Sequence, residues 1–141
     1  MKVLVRADAG AAIGIGHVAR CLTLAEQLLA RGATVAFACR ELPGHQMARI
    51  VAEGHQVFAL PAETDDEIGA LAALLSPDLL FDWIIVDHYR LDAAWERAAR
   101  RWARRIMVID DLADRRHDCD LLLDQNATAV SYTHLRAHET P

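Results

Sequence analysis

Residues that could do chemistry are concentrated near the start of the chain, where a histidine follows a glycine-rich loop. His17 comes directly after Gly16 and three positions after Gly14. A helical pattern of apolar residues begins at the histidine and runs to about residue 31. A helix start offers unpaired backbone N–H groups and the positive end of the helix dipole. That dipole disfavours a protonated imidazole, so the neutral ring, which can accept a proton, is favoured near pH 7. His17 is therefore a candidate general base.

Two other interpretations of this loop stay open. Residues 14–19 (GIGHVA) fit the loose dinucleotide fingerprint G-x-G-x-x-A, although about seven residues separate the strand end from Gly14. In a true fingerprint the first glycine follows its strand almost at once. The acid expected after the second strand would be Glu41, displaced behind Arg40. The remaining interpretation is an ordinary packing turn with a surface histidine.

Apolar runs and helical apolar faces alternate strictly along the chain, which predicts the elements that must position His17. Strands are predicted at 2–6, 34–39, 56–60, 83–87, 106–109 and 121–123, and helices at 17–31, 46–53, 65–75 and 92–104. Because the strands are almost continuously apolar, the predicted fold is α/β, a Rossmann-like parallel sheet with helices on both faces.

Polar side chains follow the predicted strands at the points where they end. In such sheets ligands collect outside the carboxyl ends of the strands, so these residues are expected near His17. The set consists of Asp8, Asp87, His88, Asp110, Asp111 and Asn126. Two interpretations are open for the acids Asp8, Asp87 and Asp111. Each either binds a sugar or His17, or caps a helix or a turn. Arg20 either reaches the loop or pairs with an acid on a neighbouring element.

Composition limits the function classes. The chain has 141 residues, 53% of them hydrophobic, which predicts one globular domain with a real core. The formal net charge of −5 argues against non-specific nucleic-acid binding. The densest basic run, residues 97–105, has helical spacing and is predicted to be a solvated helix face.

The sequence also predicts a compartment. No stretch approaches the ~20 apolar residues that span a bilayer, and the N-terminus lacks a signal-peptide layout. The three cysteines, Cys21, Cys39 and Cys119, are far apart and odd in number. They are typical of thiols in a reducing cytoplasm rather than of a disulfide framework or a metal knuckle.

The end of the chain departs from the pattern. Residues 1–128 are predicted to form the domain, whereas 129–141 lack apolar periodicity and are interpreted as a disordered or non-native tail. His134 and His138 are spaced i, i+4, but no third ligand or helix signal supports a metal site there.

Several blocks together resemble one family. Residues 6–25 resemble the N-terminal signature of the UDP-2,4-diacetamido-2,4,6-trideoxy-β-L-altropyranose hydrolases of pseudaminic acid biosynthesis. Residues 86–89 (VDHY), 109–113 (IDDLA) and 119–123 (CDLLL) match further blocks in the same order. The resemblance extends over about residues 1–128.

The resemblance implies a fold, a reaction and a set of site residues. The family is similar to GT-B glycosyltransferases, which have two Rossmann-like halves with the active site between them. The resemblance implies that the anomeric C–O bond is cleaved with inversion and that UDP is released. It implies no metal and no cofactor. His17 is the implied base for the attacking water. The implied substrate-binding residues are Asp8, Gly14, Gly16, Arg20, Asp87, Tyr89 and Asp111.

The chain also differs from this family in length. The resemblance implies that the UDP site belongs to a C-terminal half, and we expect that half to be missing here. We therefore expect a truncated fragment with little or no hydrolase activity, exposing an apolar surface where the other half packs. The full-length form is expected to be a cytoplasmic monomer whose partner is a UDP-sugar. The alternatives are a GT-B glycosyltransferase fragment and a non-catalytic nucleotide- or dinucleotide-binding module.

Overall fold

Strands and helices alternate along the chain in the computed structural model, which describes residues 1–124. The strands are β1 (Lys2–Ala7), β2 (Thr34–Arg40), β3 (Gln56–Leu60), β4 (Phe81–Asp87), β5 (Ala103–Ile109) and β6 (Leu121–Leu123). The helices are α1 (Gly16–Ala30), α2 (Met47–Ala52), α3 (Glu67–Leu74) and α4 (Ala93–Ala99), and a short 3-10 turn, Arg100–Trp102, follows α4. The predicted α/β class is confirmed.

All neighbouring strands are parallel and follow the order β3-β2-β1-β4-β5-β6. This is the strand order of a Rossmann-like sheet, with a topological switch between β1 and β4. The carboxyl ends of these two central strands lie side by side, since Ala7 is in register with Asp87. Ligands in open α/β sheets bind at such a switch point, so the sheet places Asp8 and Asp87 where a site is expected.

Apolar side chains bury both faces of the sheet. Along β1, Val3 and Val5 pack in one cluster with Leu22 of α1, whereas Leu4 packs in a second cluster with Leu71 of α3. This alternation follows from the period-2 side-chain geometry of a strand. Helices α1 and α2 therefore cover one face, and α3 and α4 cover the other.

The predicted fourth helix is wrong at its C-terminal end. The apolar spacing predicts a helix that reaches residue 104, but α4 ends at Ala99 and β5 begins at Ala103. The cause is tertiary: Trp102 and Ala103 are buried in the core, and Ala103 pairs with Phe81 of β4. Pairing with a central strand thus overrides the local helical pattern.

The basic run is consequently not one helix face. Arg104 and Arg105 are exposed residues of β5, whereas Arg101 lies in the 3-10 turn. The Arg101 guanidinium lies 5.1 Å from the centre of the Trp102 ring. Arg101, Arg104 and Arg105 are exposed, as predicted, but they do not lie on an α-helix.

Other sequence predictions have mixed outcomes. The three cysteines are buried, and none of them forms a disulfide within the described part of the chain. No helix within residues 1–124 is long and apolar enough to cross a membrane. The predictions for Asn126, for the tail at 129–141 and for His134 and His138 lie outside the described residues.

Two loops at the carboxyl edge approach each other backbone to backbone. Gly10 and Gly14 exchange hydrogen bonds that close a small turn, and the N–H of Ala11 donates to the carbonyl of Pro43 at 2.8 Å. A Cβ on Gly44 would lie 2.8 Å from the Ala11 nitrogen, and Gly44 has a φ of +82°. The loop before α1 is therefore fixed to the turn after β2.

We expect Gly44→Ala to destabilise the fold more than Gly32→Ala. Both glycines have positive φ, which costs an alanine roughly 1–2 kcal/mol. A Cβ on Gly32 meets open space, whereas one on Gly44 must displace the Ala11 backbone, adding about 1–2 kcal/mol. Urea unfolding followed by circular dichroism measures both changes, and equal losses would contradict this account of the two loops.

Candidate active site

A cleft of about 790 Å³ opens at the carboxyl edge of the sheet. Its walls come from the loops that follow β1, β2, β3 and β4, including Ile13, Leu42, Thr64 and Tyr89. His17, the second residue of α1, lies on this wall and is 9% exposed. The imidazole therefore faces a space large enough for a sugar-sized ligand.

The imidazole of His17 is bonded to a buried carboxylate. Its Nδ1 lies 2.5 Å from Oδ1 of Asp87, the last residue of β4, whose side chain is fully buried. An ionised carboxylate can only accept hydrogen bonds, so Nδ1 has the proton and Nε2 of the neutral ring keeps its lone pair. The Tyr89 ring packs edge-on against the imidazole with a centroid distance of 4.4 Å. A histidine held in this way can accept a proton at Nε2.

Arg20 connects the ends of two strands. Its Nε and Nη2 donate to the two oxygens of Asp87 at 2.5 and 2.7 Å, and its Nη1 donates to Oδ2 of Asp111 at 2.7 Å. Burial alone would raise the pKa of Asp87, but the hydrogen bonds from Arg20 and His17 hold that pKa below its usual range. Asp87 is therefore an anion beside the imidazole.

A second ionic cluster lies beneath the neighbouring strand end. Arg6 is fully buried and donates to both oxygens of Asp8 and to both oxygens of Glu67, the first residue of α3. Residues 6 and 8 of an extended chain point to the same face of the sheet, which lets one guanidinium reach both acids. Glu67 also accepts a hydrogen bond from the indole of Trp95 at 2.6 Å.

Asp8 is an ionised hub of this second cluster. It accepts hydrogen bonds from Arg6, from the backbone and side chain of Arg40, and from His88 Nε2 at 2.8 Å. Burial disfavours the charged carboxylate, but these donors outweigh burial and hold the pKa of Asp8 well below its usual range.

The hydrogen bonds of His88 fix its tautomer and occupy both ring nitrogens. Nδ1 accepts the backbone N–H of Arg90 at 3.0 Å, so Nε2 has the proton that is donated to Asp8. Burial, together with the nearby Arg6 charge, lowers the pKa of His88. His88 is thus a neutral structural histidine, which leaves His17 as the histidine on the cleft wall suited to act as a base.

Asp110 belongs to a third cluster, behind the cleft. His117 is bonded through Nε2 to Asp110 and through Nδ1 to Glu96 of α4, each at 2.7 Å. Burial alone would lower the pKa of His117, but the two carboxylates outweigh burial and raise that pKa to about 9. His117 is therefore an imidazolium near neutral pH that holds the loop after β5 against α4.

The structure separates the predicted site residues into two groups. Asp8, His17 and Tyr89 lie on the cleft wall. Among the described residues, Gly14, Gly16, Arg20, Asp87 and Asp111 are not part of that wall, although Arg20, Asp87 and Asp111 are connected to His17 through hydrogen bonds.

The sequence alone indicates no role for Arg6, Arg40 or Glu67. Arg6 was visible as a charge within an apolar strand, which is a signal of a buried ion pair. Its partner Glu67 is 61 positions away, and nothing local points to the pairing. Within residues 1–124, no three His, Cys, Asp or Glu side chains come together as a metal site would require.

Fold and site together define a Rossmann-like α/β domain with a histidine–carboxylate pair beside a cleft at the carboxyl edge of its sheet. No protein-family model matches the chain. The chain is 35% identical over 130 residues to the UDP-2,4-diacetamido-2,4,6-trideoxy-β-L-altropyranose hydrolase of Campylobacter jejuni, which confirms the resemblance seen in the motifs. The matched segment is 92% of this chain but only 43% of that hydrolase, so the chain spans less than half the length of its relative.

We expect the stability of the chain to fall as the pH rises from about 6.5 to 9, in part through His117. Its raised pKa means that its contribution is fully present below the ordinary value of 6.5 and is lost as the pH passes about 9. In urea unfolding, His117→Gln should be less stable than the wild type by roughly 1–3 kcal/mol at pH 6, with a smaller gap at pH 9.5. The exposed His45 supplies the control His45→Gln. A gap that is constant with pH would contradict the role of His117.

Proposed function

We propose that this chain is the sugar-side, base-bearing domain of an inverting nucleotide-sugar hydrolase that releases UDP from a UDP-2,4-diacetamido-2,4,6-trideoxyhexose. The observation that supports it best is the pair formed by His17, on the cleft wall, and the buried Asp87 carboxylate. The name of the Campylobacter relative supports the substrate class. Residues 1–128 correspond in this proposal to the N-terminal domain of a GT-B-type enzyme.

The proposed reaction uses the two nitrogens of His17 differently. Nε2 accepts a proton from a water molecule as the water oxygen forms a bond to the anomeric carbon. The anomeric C–O bond breaks, and UDP leaves with its electron pair from the opposite face, which inverts the configuration. The developing imidazolium is stabilised through Nδ1–H by the Asp87 anion.

The other predicted site residues take different parts in this proposal. Asp8 and Tyr89 line the cleft and are proposed to face the sugar. Gly14, with a φ of +79°, and Gly16 shape the loop that leads into α1. Asp87 orients the base.

We further propose that the chain is inactive by itself because the UDP-binding part lies outside it. Large apolar side chains are exposed in the loops at the carboxyl edge, where the remainder of a two-domain enzyme would pack. They are Ile13, Ile15, Tyr89 and Leu112. This placement supports a cleft that is completed by another domain.

The first test measures the release of UDP from the proposed substrate, a UDP-2,4-diacetamido-2,4,6-trideoxyhexose. We expect none above background from the chain alone, and turnover when it is fused to the part of the Campylobacter hydrolase that lies outside the matched segment. In that fusion, His17→Gln should lower kcat by about 10²–10⁴-fold because the base is lost. His45→Gln is the matched control and should leave the rate unchanged. Turnover that survives the loss of His17 would refute the assignment of the base.

The second test addresses Asp87. Asp87→Asn keeps the shape of the side chain but removes the anion that selects the Nδ1–H tautomer of His17. We expect kcat of the fusion to fall by roughly 10²–10⁴-fold with a smaller change in KM. Asp118→Asn, which alters a partly exposed acid paired with Arg100, is the control. A variant with near wild-type kcat would show that Asp87 does not orient the base.

A further inference from the structure

We propose that Arg20 and Asp111 form a positioning pair that holds the Asp87 carboxylate against Nδ1 of His17, instead of contacting substrate. This inference rests on the proposed function of His17 as the base. It changes the part that the sequence resemblance implied for these two residues.

Helix geometry places Arg20 beside His17. Arg20 follows His17 by three positions on α1, so both side chains leave the same face of the helix. The Arg20 guanidinium grips Asp87 through two parallel hydrogen bonds, and Oδ1 of Asp87 is shared between Arg20 and His17. A two-point grip fixes the plane of the carboxylate, which a single bond would not do. Asp111 holds the far end of the guanidinium at 2.7 Å.

Burial places this pair behind the base. The Asp87 side chain is fully buried, Arg20 is 23% exposed and Asp111 is 16% exposed. Within residues 1–124, the cleft wall includes His17 but none of these three. A ligand in the cleft would therefore meet the imidazole first, with the arginine and the two acids supporting it from the protein side.

The charges of the pair make its role measurable. With His17 neutral, removal of Arg20 leaves two carboxylates near the ring and makes the ring easier to protonate. Removal of the Asp111 charge leaves the arginine less compensated and makes the ring harder to protonate. Tyr89 also packs against the ring, and Cys21 also contacts the Asp87 carboxylate. The other titratable or charged side chains on the cleft wall are Asp8, Arg40, Glu63, Asp65, His88 and Arg90, and the variants alter none of them. The preference for the Nδ1–H tautomer reports the positioning itself, because that preference depends on Asp87 being held against Nδ1.

The test is ¹⁵N NMR of the histidine rings in the 141-residue chain, with His17 signals assigned by their loss in His17→Gln. We expect the wild type to show the Nδ1–H tautomer. Arg20→Gln should weaken that preference and raise the pH of ring protonation by about half a unit or more, and Asp111→Asn should lower it. Arg100→Gln is the matched control, because Arg100 also bridges two carboxylates, Asp118 and Asp120, away from the cleft.

A conservative variant guards against misfolding of Arg20→Gln. Arg20→Lys retains the charge but not the two-point grip, so it should weaken the tautomer preference with little change in the pH of protonation. The proposal would be overturned if Arg20→Gln or Arg20→Lys kept both the tautomer and the titration of the wild type. It would also be overturned if Arg20→Gln and Asp111→Asn shifted the pH of ring protonation in the same direction.

These measurements need no turnover, so they separate this inference from the proposed function. If the NMR shifts occur but the fusion never releases UDP, the pair positions the ring and the hydrolase proposal fails. In an active fusion, Arg20→Gln should lower kcat at least tenfold with less than a threefold change in KM. A change confined to KM would instead assign Arg20 to substrate binding and overturn the inference.

Discussion

The site depends on two carboxylates buried side by side at the ends of the central strands. The parallel register of β1 with β4 places Asp8 and Asp87 next to each other, and both side chains are almost completely buried. A buried anion is costly unless it is paired and fully hydrogen-bonded, so each carboxylate requires its own set of donors. Arg6 and Arg40 donate hydrogen bonds to Asp8, and Arg20 donates to Asp87. Much of the polar architecture at this edge is a response to that requirement.

The two carboxylates use their histidines in different ways. Asp8 receives the Nε2–H of His88, whose other nitrogen is occupied by a backbone N–H, so that ring has no lone pair to offer. Asp87 receives the Nδ1–H of His17, and the opposite nitrogen of that ring keeps its lone pair beside the cleft. The same histidine–carboxylate pair thus connects two loops at His88, whereas at His17 it leaves a nitrogen that can accept a proton. The difference lies in which nitrogen the carboxylate binds.

The sequence predicts the fold well because its main signals are local. Strand and helix alternation, the glycine loop and the polar strand ends all follow from periodicity and position. The end of α4 could not be found in this way, because Trp102 is buried by contacts that exist only once β5 lies beside β4. The polar strand ends could be placed together at the carboxyl edge from the sequence, but the pairing of Arg6 with Glu67 spans 61 positions and has no local signal. Position in a sheet is readable from one sequence, whereas the choice of ion-pair partner is a property of the assembled fold.

The close approach of Gly10 and Gly44 limits how this edge can diversify. A side chain at Gly44 would clash with the backbone of Ala11, and one at Gly10 would crowd the carbonyl of Pro43 at 3.0 Å. A chain that altered the length of one loop would lose its match to the other, so the two loops are expected to change together during evolution. Changes in ligand preference are then left to side chains that project from these loops, such as Ile13 and Leu42, while the paired backbones beneath them stay the same.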